Sequence, residues 1–297
     1  MKNPITKQST TPVRINQQQL RMLSYIYKFR FVSTKQLQVI LAKKQVQQIQ
    51  QRLNLLLQRQ YVGRNFTNLD RLTGRYASYY LLPKGMKVLK HYAAQSQATN
   101  SMDASLFVEV VLNPLVLHNI YKDKTASTRF INHCLRVGDI YCDLLGLYSD
   151  RLTYFSKGEL VNDNYFPAQR PDAYLRLTHS TTAGVAKNSQ SEFFLEYLEE
   201  IVPFFVYRNR IKQYEAYAEE EAWEAAIGEA MPAILLVCET AVLQRRVLRY
   251  LKKQLENSYA DNLVFLVTTK EALATAHASS LIWVETRDGE PLVRGLS

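Results

Sequence analysis

The chain has 297 residues, 47% of them apolar, enough to bury a substantial core and to divide into two domains. No apolar run approaches the ~20 residues that span a bilayer, and residues 1–7 lack the apolar stretch of a secretion signal, so a soluble cytoplasmic protein with no membrane partner is expected. The net charge of +10 is unevenly spread: the first 92 residues hold 17 Lys/Arg and one acid, Asp70, while the other 205 hold 20 basic against 26 acidic residues. Solvated surfaces interleave both signs, so this asymmetry points to a polyanion, most simply nucleic acid, bound at the N-terminal end.

Residues 1–16, with Pro4 and Pro12, read as a polar leader. From an N-cap at Asn16, Leu20, Leu23, Ile26 and Tyr27 recur at helical spacing to about Phe29. Ser33 precedes a short second helix, 34–41, whose Leu37, Ile40 and Leu41 share a face. A third helix, 43–60, is expected to bury Val46, Ile49, Leu53 and Leu56. A basic strand from Arg64, a turn around 68–74 and the alternating Tyr-rich strand 76–82 follow, and a helix from Met86 to about Ala94 closes the unit. Three short helices and a β-hairpin predict a winged helix-turn-helix over residues 16–94.

The third helix points Lys44, Gln47, Gln48, Gln51 and Asn54 outward, with Lys43 at its start and Arg52 and Arg59 on its flanks. Amides can bond bidentately to adenine edges in a major groove, and cations can engage phosphate or guanine. Residues 17–60 contain 12 Gln, so composition bias in a solvated helix is the competing account. Arg64, Arg71 and Arg75 in the hairpin would track phosphates or enter a minor groove. Wings also serve as dimerisation elements, which leaves a homodimer open.

The small, polar stretch 95–105 reads as a linker. An amphipathic helix is predicted over 125–147, burying Phe130, Cys134, Val137, Tyr141 and Leu144 or Leu145. Strands follow at 151–155, 171–177 and 192–198, the last after a polar loop at 178–191. A long helix covers 205–226, the apolar strands 232–238 and 263–268 flank a helix at 241–256, and a strand at 281–284 ends the chain's pattern. The order α-β-β-β-α-β-α-β predicts an α/β domain, 103–297, with a mixed sheet covered on both faces. Cys134, Cys142 and Cys238 form no CxxC pair and read as small buried residues in a reducing compartment.

Two carboxylates stand out on these strands. Asp172 follows Pro171 at a strand start, and Glu196, of the same parity as Glu192, points away from Leu195. Acids inside a β-rich domain suit a divalent metal such as Mg²⁺; the alternative is that Asp172 caps a turn while Glu192 and Glu196 line a solvated edge. His133 is either a buried histidine satisfied by a neighbouring carbonyl or acid, or a base, and no HxxxH spacing supports a metal. Glu219, Glu220, Glu221 and Glu224 make an acidic helix face, suited to a partner protein or simply solvated.

Residues 51–56 (Gln51-Arg52-Leu53-Asn54-Leu55-Leu56), Tyr61-Val62, 79–85, 131–139, Arg170-Pro171-Asp172-Ala173, 193–196 and 212–217 occur in an order that resembles the replication-relaxation family of bacterial plasmids and mobile elements. The resemblance covers nearly the whole chain and implies a role in starting replication or relaxing DNA. It further implies a C-terminal half similar to the PD-(D/E)xK, restriction-endonuclease-like fold. On that pattern Asp172 is the first acid and Glu196 the second, together holding Mg²⁺, but the Lys position falls on Leu198. Lys212, on the next helix, is the shifted substitute, giving Asp172, Glu196 and Lys212 as the catalytic set of an active member; Leu198 argues instead for a degenerate site without cofactor.

The expected function is thus a DNA-binding accessory or initiator of mobile-element replication or mobilisation, holding duplex DNA and recruiting a replication or relaxase partner. A Mg²⁺-dependent nuclease or nickase and a transcriptional repressor are the alternatives.

Overall fold

The computed structural model describes residues 15–72, 74, 76–99, 120–161, 163–179, 190–256, 262–277, 280–286 and 291–296. Helix α1 (Gln17–Phe29) starts where Asn16 and Gln19 form a reciprocal capping box, and α2 (Thr34–Ile40) starts on the same device between Ser33 and Gln36. Each box satisfies two N–H groups that a helix start leaves unbonded. Between them lies β1 (Val32–Ser33), a strand too short to leave a sequence pattern. Helix α3 (Val46–Gln58) begins three residues later than expected, so Lys43 and Lys44 sit in the turn before it, where Ala42 takes a positive φ of 49°. Its Ile49, Leu53 and Leu56 are buried as the spacing predicted, while Val46 is only partly covered.

Strand β2 (Val62–Asn65) and β3 (Ser78–Leu81) pair antiparallel, with β1 on the other side of β3. The expected turn between them contains a one-turn helix, α4 (Asn68–Leu72). Thr67 and Asp70 cap it mutually: Asp70 Oδ2 accepts from the Thr67 N–H, and Thr67 Oγ1 accepts from the Asp70 N–H. Helix α5 (Pro83–Thr99) runs five residues past the predicted end and through the start of the expected linker; residues 100–105 of that linker lie outside the described residues, as does most of the leader. A Cβ on Gly85 would stand 2.2 Å from the Tyr61 carbonyl oxygen, so only glycine lets α5 lie against the end of α3.

A 3-10 turn at Asp123–Thr125 leads to the long α6 (Thr128–Tyr148), capped by Ser127. The sheet elements are β4 (Leu152–Ser156), β5 (Ala173–Thr178), β6 (Gln190–Leu198), β7 (Ala233–Cys238), β8 (Phe265–Thr269), β9 (Trp283–Thr286) and β10 (Pro291–Arg294). They lie in the order β10-β9-β8-β7-β6-β5-β4, with β6, β7 and β8 parallel and every other pair antiparallel. This is the mixed-sheet α/β architecture expected, enlarged by β10 and by α10 (Lys270–Thr275), neither of which carries a period long enough to read. Most of the predicted loop 178–191 lies outside the described residues.

The predicted long helix after β6 is two helices, α7 (Phe204–Glu219) and α8 (Ala222–Ile227), because Glu221 adopts a left-handed conformation at φ 48°. Its four glutamates therefore do not form one helix face. Glu224 Oε1 instead accepts the Met231 N–H. Helix α9 (Ala241–Leu255) matches its predicted span within one residue and is capped by Thr240.

Each sheet face has its own core. On one, Leu195, Leu235 and Leu266 meet Val137, Ile140 and Leu144 of α6, and the same cluster continues into Leu23, Ile26, Leu37 and Leu53. The basic helical unit thus shares a continuous apolar core with the sheet. On the other face Tyr207, Ile211, Tyr214, Trp223, Val247 and Leu251 cover Phe194, Ile234 and Phe265. All three cysteines are free, and burial pushes each thiol up to about 12, so none is poised to react at neutral pH.

Candidate functional site

The exposed side of α3 carries Gln47, Gln48, Gln51 and Asn54, with Lys44 exposed just before the helix. Lys43 and Arg52 are half-buried, and Arg52 Nη1 donates to Gln18 Oε1 at 3.2 Å, which fixes it across the groove between α1 and α3. Arg64 and Arg71 are exposed, the guanidinium of Arg64 lying 5.8 Å from the centre of the Phe66 ring. Arg75 lies outside the described residues. Asp70, the only acid in the first 92 residues, is turned to its own helix cap.

The second constellation lies where the basic unit, α6 and the sheet meet. A cavity of about 480 Å³ is walled by Phe29, Phe130, Val137 and Tyr154, with Lys28, Arg30, His133, Lys157, Glu159 and Asp172 as its charged groups. Lys28 donates to the Tyr154 carbonyl and lies 3.3 Å from Glu159. Arg30 reaches the buried Asp123. Arg170 organises the loop before β5 by donating to the carbonyls of Leu160, Asp163, Phe166 and Pro167, and so sets the start of the strand at Asp172.

Asp172 is 8% exposed and fully partnered. Its Oδ1 lies 3.2 Å from His133 Nε2 and 3.5 Å from Lys157 Nζ, and its Oδ2 accepts the Tyr197 N–H at 3.1 Å. Burial opposes ionisation, but the hydrogen bond and charge of His133, the charge of Lys157 and the Tyr197 N–H outweigh it and hold the carboxyl well below the usual carboxylate range. For His133 burial likewise favours the neutral ring, yet Asp172 and Glu199 prevail and its pKa is raised. His133 is therefore a histidine satisfied by acids.

Glu196 follows directly across the strand pair, since Ala173 faces Leu195, but its carboxylate serves the other sheet face. Arg210 of α7 donates to Glu196 Oε1 through Nε and Nη2, and Tyr214 OH donates to the same oxygen at 2.6 Å. Burial pushes the Glu196 carboxyl up, with Arg210 working against that shift. Glu192, expected on a solvated edge as the alternative to metal binding, lies on a central strand and pairs with Arg176, its cross-strand neighbour, at 3.0 Å.

The structure therefore brings Asp172 and Glu196 to one strand end but not Lys212. Lys212 lies two residues beyond Arg210, on the far side of α7, and lines a separate groove with Arg208 and Lys253. Leu198 is buried at 3% exposure where a lysine would be needed. Mg²⁺ requires hard oxygens in a near-octahedral set. Here both Asp172 oxygens and Glu196 Oε1 already accept from cations or N–H donors, and no group of three or more His, Cys, Asp or Glu among the described residues could hold a metal. As arranged, these residues do not fit Mg²⁺.

Lys28, Arg30, Lys157 and Arg210 escaped the sequence reading. Arg210 alone left a signal, a cation on the helical stripe of Tyr207, Ile211 and Tyr214. Gln36 was also missed: its Nε2 donates to the Leu135 carbonyl at 2.6 Å and to Asp139 Oδ1 at 2.8 Å, joining α2 to α6. Gly138 makes that approach possible, since a Cβ there would lie 3.0 Å from Gln36 Nε2.

These features define a class: a basic helical unit fused through one long helix to a mixed-sheet α/β body whose strand-end acids are internally paired. The model of the replication-relaxation family matches residues 23–230, more than half of the chain. The protein belongs to the replication-relaxation family, which carries a role associated with replication and mobile elements. Neither the curated proteins nor the solved structures give a match to this chain. Among the described residues no helix is long and apolar enough to cross a membrane.

Proposed function

We propose that the protein is a DNA-binding accessory or initiator of mobile-element replication, which holds a duplex through residues 16–94 acting as a winged helix and does not cut it. The observation that carries this is the exposed side of α3, with amides at Gln47, Gln48 and Gln51 and exposed Lys44 just before them, in a unit whose β2–β3 hairpin adds exposed Arg64 and Arg71 and whose single acid, Asp70, bonds to its own helix cap. Such a surface supplies base-edge donors and acceptors at its centre and phosphate contacts at its rim. Support for a non-cleaving body comes from the pairing of Asp172 with His133 and Lys157 and of Glu196 with Arg210, and from Leu198.

Recovery and sequencing of DNA bound to the protein in cells tests this. Enrichment at a replication origin supports the initiator role, and enrichment confined to promoters would transfer the proposal to a repressor. Supercoiled plasmid incubated with purified protein and Mg²⁺ should remain supercoiled; nicking that disappears in Asp172→Ala would establish the nuclease alternative.

A further inference from the structure

Helices α7 and α9 pack side by side on the sheet face opposite α6 and the basic unit, anchored by Ile211, Tyr214, Val247 and Leu251. Their outer sides enclose a groove of about 510 Å³ lined by Arg208, Asn209 and Lys212 from α7 and Tyr250, Lys253 and Gln254 from α9. Beside this groove Glu215 accepts from Gln254 Nε2 at 2.8 Å, and Gln254 Oε1 accepts from Tyr250 OH at 3.0 Å. No ion pair among the described residues includes Arg208 or Lys212, both exposed.

Alongside the groove, α9 carries exposed Arg245, Arg246, Arg249, Lys252 and Lys253 and no acid between 241 and 255. The Arg246 guanidinium is held 4.2 Å from the centre of the Phe204 ring, which fixes one cation at the rim. This happens in the part of the chain where acids outnumber bases, 26 to 20, so the strip is a local concentration and not an overall bias. From Arg245 to Lys253 it extends about 12 Å along the helix, too long for one small anion. Over that distance a duplex presents about seven phosphates.

We propose that the α7–α9 groove is a second, sequence-independent binding site for the DNA phosphate backbone, on the opposite side of the sheet from the basic unit, so that one molecule holds two DNA segments. Arg208, Lys212 and Lys253 contact phosphate oxygens, and the α9 strip extends the track.

The test uses the full chain in which the basic unit has been neutralised by Lys44→Gln, Arg64→Gln and Arg71→Gln. This protein should keep a salt-dependent affinity for a short duplex of scrambled sequence. Adding Arg208→Gln, Lys212→Gln and Lys253→Gln should lower it about tenfold or more, since each lost phosphate contact removes about 0.9 from the salt slope. Arg208→Lys with Lys212→Arg should retain it, and thermal unfolding should verify that each variant is folded. Equal duplex affinity with and without the groove substitutions overturns the proposal, as does binding of inorganic triphosphate with none of duplex, which would mark a small-anion site. If neutralising the basic unit leaves duplex affinity unchanged, it is the winged-helix proposal that fails, and the groove stands.

Discussion

The two parts of this molecule handle charge in opposite ways. In the basic unit Lys44, just before α3, and Arg64 and Arg71 of the hairpin face solvent, and the one nearby acid, Asp70, bonds to its own helix cap. In the sheet body the strand-end acids are buried and each has a cation of its own: Asp172 has Lys157 and His133, and Glu196 has Arg210. Exposed unpaired charge remains available to an outside polyanion. Buried paired charge does not, because its energy is already committed to the fold.

The sharpest way to break this contrast is at Arg210. Arg210→Ala leaves Glu196 buried without its cation and should cost about 3–5 kcal/mol of stability, read from urea denaturation. Glu196→Gln combined with Arg210→Met should recover much of that loss, because replacing a buried pair as a unit is often close to neutral. An Arg210→Ala protein as stable as its parent would show that the pair does not consume the charge.

Gln47→Ala, Gln48→Ala or Gln51→Ala should leave the fold intact and change discrimination between sequences by about 1–3 kcal/mol per base pair read. Competition between the recovered site and its single-base variants measures this; a uniform loss across all variants would assign these amides to phosphate instead. Gly138→Ala gains about 1 kcal/mol of helix propensity but crowds Gln36, which hydrogen bonds to Ser33, Leu135 and Asp139 hold in place, so the net result should be a small loss of about 1 kcal/mol or less. In the Gln36→Ala background the same change should cost less, which a double-mutant cycle detects.

The smallest effect expected is on pH dependence. The folded pKa of His133 lies above its ordinary 6.5, so its stabilisation is complete below that value and is lost as pH rises through the raised one. Asp172 lies below its ordinary 3.8, so its contribution is complete above that value and is lost as pH falls toward its low folded pKa. The difference in melting temperature between the parent and His133→Gln should therefore be flat from about pH 4 to 6.5 and shrink above it. A difference constant up to pH 9 would contradict the His133–Asp172 pairing.

Several motifs that carried the family resemblance have physical duties in the fold, two of them on α6 at the seam between the two parts. His133 and Asp139, six residues apart on α6, hold different partners: His133 faces Asp172 of the sheet, and Asp139 accepts from Gln36 of the basic unit. Arg170, before Asp172, pins the loop through four carbonyls, and Tyr214 satisfies Glu196. Gly85 lets α5 approach Tyr61.

By itself the sequence determined the helices α1, α2, α6 and α9, because capping residues and a 3.6-residue period are local signals that the chain states outright. It also determined the central strands, whose continuous apolar runs match burial on both faces, and the charge asymmetry between the first 92 residues and the rest. Elements of two to six residues, such as β1, α4, α10 and β10, stayed hidden because they hold too few residues for a period and owe their form to neighbours. The partners of Asp172, Glu196 and Lys212 were decided only by tertiary structure. Lys157, His133 and Arg210 reach the two acids from three different elements, and the direction in which Lys212 leaves α7 depends on which side of that helix the sheet covers. Spacing along a chain fixes which residues share a face, but which cation reaches which acid is set by how those faces are brought together.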